Sequence, residues 1–219
     1  DWVKLGSARN GSTFGLDSAT PSASTIDGND NTFVTGFVIG NMDFGSQNVN
    51  QAQQDVYVAK IDSNGIWQWV VTAGQHSGGG YSWAQGIAVD SSGDIYITGF
   101  YVGNITFGAT QLTSTTSSNN DSSRDIFVAK MSSSGMWTWG ASAGGPYNSD
   151  SGKGIVADSA GGAYVVGSVN ISGNLGKMQG VITQHSTKIE EILTALSQVP
   201  TGVNQQVEPL INELRGQFA

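Results

Sequence analysis

Cysteine is absent from this 219-residue chain. That excludes a disulfide framework and a thiolate metal site, and leaves the compartment open. Charge is scarce as well. Asp, Glu, Lys and Arg make up 12% of the residues, against roughly 25% in an ordinary soluble domain. Positive charge is the scarcer sign. The formal net charge of -8 speaks against a nucleic-acid partner, because phosphate binding needs clustered Lys and Arg. No stretch approaches the ~20 apolar residues of a membrane-spanning helix. Histidine occurs only as His76 and His185, which supports neither a His-rich zinc site nor His-based catalysis. Gly78-Gly-Gly80 lacks the Lys and Ser/Thr of a phosphate loop. The start at Asp1, without a signal peptide, reads as a mature, processed or trimmed chain and does not place the protein in the cytoplasm.

Gly, Ser, Thr and Asn fill the space that charge leaves. With 38% hydrophobic and 9% aromatic residues, the mixture suits a folded core of many short strands and tight turns, in one or two domains. A long unit repeats. Asp55-Val-Tyr-Val-Ala-Lys-Ile-Asp-Ser-Asn-Gly-Ile-Trp-Gln-Trp69 returns as Asp125-Ile-Phe-Val-Ala-Lys-Met-Ser-Ser-Ser-Gly-Met-Trp-Thr-Trp139. Ile87-Ala-Val-Asp-Ser-Ser-Gly-Asp-Ile-Tyr-Ile-Thr-Gly99 returns as Ile155-Val-Ala-Asp-Ser-Ala-Gly-Gly-Ala-Tyr-Val-Val-Gly167. An earlier copy shows in Trp2-Val-Lys-Leu5 and in Ile26 to Gly36.

Within a unit, Val56, Val58 and Lys60 alternate with Tyr57, Ala59 and Ile61, the period of a strand. Ser63-Asn-Gly65 supplies a turn. Trp67, Trp69 and Val71 begin the next strand. Ile87–Val89 and Ile95–Thr98 form a hairpin about Asp90-Ser-Ser-Gly93, and Ile105–Phe107 is a short extra strand. About four strands per unit, with Gly and aromatic residues at repeated places, is the signature of propeller blades.

These residues resemble the SBBP-type bacterial β-propeller repeat family over about residues 1–175. The pattern D-x-F-V-A-K-x-x-x-x-G, then W, then I-A-V-D-x-x-G-x-x-Y-x-x-G is met nearly in full. The resemblance implies a multi-blade propeller in an exported or surface protein, and brings no catalytic residues. The chain holds only roughly two and a half units, and a propeller typically needs four to eight blades. Either other copies complete the ring, or the sheets stack in an open way, or the chain is truncated.

After residue 175 the composition changes. Met178, Ile182, His185, Ile189, Ile192, Leu196 and Val199 follow alternating steps of four and three, a heptad a/d series. The spacing predicts a helical, coiled-coil tail over residues 176–219, two helices broken at Pro200-Thr-Gly202. Ile at both a and d favours three or more strands, so a homotrimer is the simplest partner arrangement. Leu193 widens the stripe, and packing of the tail on its own β domain is the rival reading.

Candidate sites are few. Asp90 and Asp94 are the best candidates for a calcium ion, although a hairpin turn explains the same residues. Trp67/Trp69 and Trp137/Trp139 are expected to lie pairwise on single faces and pack between sheets. Tyr81 and Trp83, expected in a Gly-rich loop, and Tyr147 in the matching loop are the candidate contacts for a ligand such as a surface glycan. Asn10, Asn104, Asn120 and Asn170 match glycosylation acceptors, as chance allows in such a composition. The function expected is a non-enzymatic, extracellular structural or adhesive protein, part of a bacterial surface assembly, filament or virion fibre. A lectin-like propeller module is the alternative, and a secreted hydrolase the distant one.

Overall fold

Alternation and turns build the chain into antiparallel sheets that follow the repeat. The computed structural model describes residues 7–8, 17–74, 80–115, 123–145, 149–158 and 160–169, all in the unit Asp1–Asn170. Among these residues every regular element is a strand. The tail and its division near residue 175 lie outside them.

The first sheet is the meander β2 (Ser18–Ile26), β3 (Thr32–Phe44), β4 (Gln47–Ile61) and β5 (Trp67–Ala73), with β1 (Ser7–Ala8) against the far end of β3. The second has the order β6 (Tyr81–Val89), β7 (Ile95–Val102), β10 (Asp125–Met131) and β11 (Trp137–Ala143). A hairpin, β8 (Asn104–Phe107) with β9 (Thr110–Thr113), lies between β7 and β10 in sequence. The third unit is the pair β12 (Ser151–Ala157) and β13 (Ala163–Ser168). The expected strand at Ile105–Phe107 is therefore present, and the turns fall where glycine was placed. Gly65 and Gly93 take φ of 77° and 82°, which an L side chain avoids.

The sheets pack face on face. Phe33, Val56, Val58 and Ala73 of the first sheet share a buried cluster with Ile95, Ile97, Phe127 and Met131 of the second. Tyr96 and Ala88, on the other face of the second sheet, share a cluster with Ile155 of the third unit. Val56 and Val58 thus serve one face and Tyr57 and Ala59 the other, as period-two alternation requires.

One expectation is corrected. Trp67 and Trp69 lie on opposite faces. Lys60 pairs with Trp69 and Ile61 with Trp67, so Gln68 is an extra residue. A bulge of this kind breaks the alternation by one position and re-aims the side chains beyond it. Trp67 meets Phe44 edge-on at 5.1 Å, while Trp69 reaches Phe33 at 6.0 Å on the other face. Thr138 is the matching extra residue in the second sheet, and Trp137 and Trp139 are split in the same way.

A second bulge recurs in the first strand of each unit, at Ser22, Gln85 and Lys153. The bulged side chain reaches the following unit. Trp83 Nε1 donates to Ser22 Oγ at 2.5 Å, and Ser151 Oγ donates to Gln85 Oε1 at 2.6 Å. Opposite each bulge stands a glycine: Gly36, Gly99 or Gly167. A Cβ there would run into the carbonyl oxygen of Thr20, Trp83 or Ser151 respectively. Repeated Gly thus reflects a repeated backbone approach.

Candidate functional site

The turn between the first two strands of each unit begins with an aspartate whose carboxylate caps it. Asp90 Oδ1 accepts from the backbone N–H of Ser92 and Asp94 at 2.9 and 3.0 Å. Asp27 Oδ1 does the same with Asn29 and Asn31, both at 2.9 Å. Asp158 Oδ1 does so with Ala160 and Gly162 at 2.9 and 2.7 Å. This is the Asx turn that Asp favours.

The strand after the turn adds an aromatic ring, and the third strand of the sheet adds a lysine. Tyr96 OH donates to Asp90 Oδ2 at 3.1 Å. Lys130 pairs with Tyr96 in the β7–β10 register, and its Nζ lies 4.9 Å from the centre of that ring. The same ammonium is 2.9 Å from Asp94 and 4.0 Å from Asp90. In the first sheet Lys60 pairs with Phe33 and lies 5.4 Å from its ring centre. Hydrogen bonds to Tyr96 and Asp94 push the Lys130 pKa upward against the opposing effect of burial. Asp27 is held below the usual carboxylate range: burial opposes this and is outweighed by Asn31, Asn29 and the charge of Lys60.

Between the turn of the first sheet and that of the second opens a polar cleft of about 700 Å³. Asp27, Asn29, Lys60, Asp90, Ser92 and Ser133 line it. Its donors and acceptors suit a hydroxyl-bearing ligand. Among the described residues no three His, Cys, Asp or Glu side chains converge for a metal ion. At Asp90 and Asp94 the cation is the ammonium of Lys130, which a calcium ion would have to displace.

That arrangement gives a testable consequence. Lys130→Met is expected to lower stability by about 1.5–3 kcal/mol, the scale of a hydrogen bond to a charged group. The sign with pH follows from the raised folded-state pKa. The contribution is complete below the ordinary lysine value of 10.5 and is lost as pH climbs through the raised value. Denaturation curves of wild type and Lys130→Met should therefore differ at pH 8 and converge in strong alkali.

Tyr81 and Trp83 belong to β6 rather than to a loop, because the bulge at Gln85 hides the continuity of that strand from a period-two count. Both rings are half-buried. Trp83 meets Phe37 edge-on at 4.8 Å, and Tyr81 meets Phe100 at 6.1 Å. Arg124 Nε donates to Tyr81 OH at 3.3 Å, and the guanidinium stacks 4.5 Å from the Phe100 ring centre. Tyr147 and the heptad residues Ile182, His185, Ile189, Ile192, Leu196 and Val199 lie outside the described residues.

Sequence reasoning missed the Lys–aromatic–Asp cluster, although its parts recur at Lys60/Lys130 and Phe33/Tyr96. It also missed an aromatic triad on the opposite face. Phe44 lies 5.1 Å from Trp67 and 5.4 Å from Tyr57. Phe107 lies 4.9 Å from Trp137 and 5.3 Å from Phe127.

No curated protein matches the chain. The family model of the beta-propeller repeat, SBBP, matches residues 68–99 and 139–174. Each matched segment begins in the fourth strand of one sheet and runs into the second strand of the next unit. Two segments of this chain thus match the SBBP beta-propeller repeat, each running from one sheet into its neighbour.

Proposed function

We propose that the chain is a non-enzymatic structural or adhesive subunit of an extracellular assembly, on a cell surface, in a filament or in a virion fibre. In this reading other chains complete what the third repeat unit leaves open. The observation that carries it is a difference between equivalent faces. Tyr96 and Thr98 of the second sheet are fully buried, and Ala88 is 8% exposed. Their counterparts in the third unit are Tyr164, Val166 and Val156, exposed by 62%, 69% and 62%. Clustered exposed apolar residues of this kind mark interaction surfaces.

The heptad pattern of residues 178–199 supports self-association as the way copies are held together, with three copies favoured by Ile at both a and d. The low charge of the chain and the company that SBBP repeats usually keep support an exported setting. The reading is tested by the mass of the intact chain in solution. A multiple of the single-chain mass at micromolar concentration is expected. A single-chain mass persisting at about 100 µM, weaker than most stable contacts, would overturn it.

A further inference from the structure

The third unit stops after two strands among the described residues, and three of its features match places that the other two units fill. Its second strand, β13, pairs with β12 on one side. In the first and second sheets the corresponding strands, β3 and β7, are paired on their other side by β4 and β10. The edge of β13 is apolar and exposed, the kind of edge to which an added strand pairs.

The acid and the ring of the cluster are also in place. Tyr164 OH donates to Asp158 Oδ2 at 3.1 Å, the distance found between Tyr96 and Asp90. Where Lys130 faces Tyr96 and Lys60 faces Phe33, no lysine among the described residues faces Tyr164.

The neighbouring sheet shows the same gap. In the first sheet Trp69 and Val71 pack into the cluster that contains Phe127, Ala129 and Met131 of β10. Trp139, the counterpart of Trp69, remains 36% exposed on β11. The strand that would cover it is the one that would pair with β13. Finally, Lys153, the bulged residue of the third unit, is exposed, whereas Ser22 and Gln85 each hold a side chain of the next unit.

We propose that the edge of β13 left unpaired among the described residues accepts an extended strand from a partner polypeptide, with alternating apolar residues on one side and a lysine on the other. The apolar side seats on Trp139 and β11. The lysine enters opposite Tyr164 and joins Asp158. The charge complementarity and the continuation of the existing sheet-on-sheet interface select this occupant. β4 and β10 of a second copy are each paired on both edges, so the donor is a strand that its own fold leaves unpaired. The inference deepens the assembly reading and rests on it for the presence of a partner, while its test does not require self-association.

The probe is a labelled heptapeptide with the sequence of β10, Asp125–Met131, added to the full chain diluted until it sediments at single-chain mass. Saturable binding is expected. The affinity should fall at least about tenfold for the peptide carrying K130Q, and by a similar factor for the chain carrying Asp158→Asn. To cover weak binding, the same strand is also fused to the full chain through a flexible Gly/Ser linker, which raises its effective concentration to about the millimolar range. The fusion should slow amide exchange across Ala163–Ser168. Equal binding of both peptides, or unchanged exchange in the fusion, overturns the proposal. Neither result bears on the mass measurement that tests the assembly reading.

Discussion

Phe107→Ala is expected to lower the stability of the β domain by about 3–5 kcal/mol, the usual cost of emptying a buried aromatic site. That is a large share of the roughly 5–15 kcal/mol available to a domain. Phe107 is 1% exposed. It stands between Trp137 and Phe127 of the second sheet and joins the same cluster as Phe33, Val56 and Val58 of the first. Its loss therefore removes an aromatic triad and a contact between sheets together. The ring also helps to fix the short hairpin β8–β9, together with Ile105, Leu112 and the bridge from Gly74 to Thr106 of the hairpin. Urea denaturation should show a lower midpoint with an unchanged slope. Phe107→Leu keeps most of the volume and should cost less, about 1–1.5 kcal/mol.

The second large effect is expected at the exposed face of the third unit. Val156→Asp/Val166→Asp should weaken association through that face at least about a hundredfold, close to 3 kcal/mol. The substitutions place carboxylates where an apolar partner would have to desolvate them. Stability of the single chain should change little, because both valines are exposed there. Opposite behaviour at Phe107 and at this pair would separate a residue that holds the fold from residues that the assembly reading assigns to an interface.

Much of the fold was legible in the sequence because it repeats. Val56/Val58 against Tyr57/Ala59 announced a two-faced strand, and Asp90-Ser-Ser-Gly93 announced a turn whose aspartate and glycine both have physical tasks. What alternation could not show is where it breaks. The bulges at Gln68 and Thr138 separate tryptophans that a strict period of two places together. The bulge at Gln85 concealed that Tyr81 and Trp83 already belong to β6, so these rings pack on Phe37 and Phe100. The cluster at Lys130 was hidden for a different reason. Its three members come from a turn, the strand after it and a strand some thirty residues on, and only strand pairing brings them together. The open face became visible only once equivalent positions were compared, since Tyr96 and Tyr164 look alike in sequence and differ in what covers them.

In the assembly reading the exposed face of the third unit is an interface between copies of the chain. This is tested most directly by amide exchange across β12 and β13, in dilute and in concentrated solutions of the wild-type chain and of Val156→Asp/Val166→Asp. Exchange in the wild type should slow over Ser151–Ala157 and Ala163–Ser168 as concentration rises, with β3 and β4 unchanged, and should stay fast in the variant. Equal exchange at all concentrations in both chains would contradict the account.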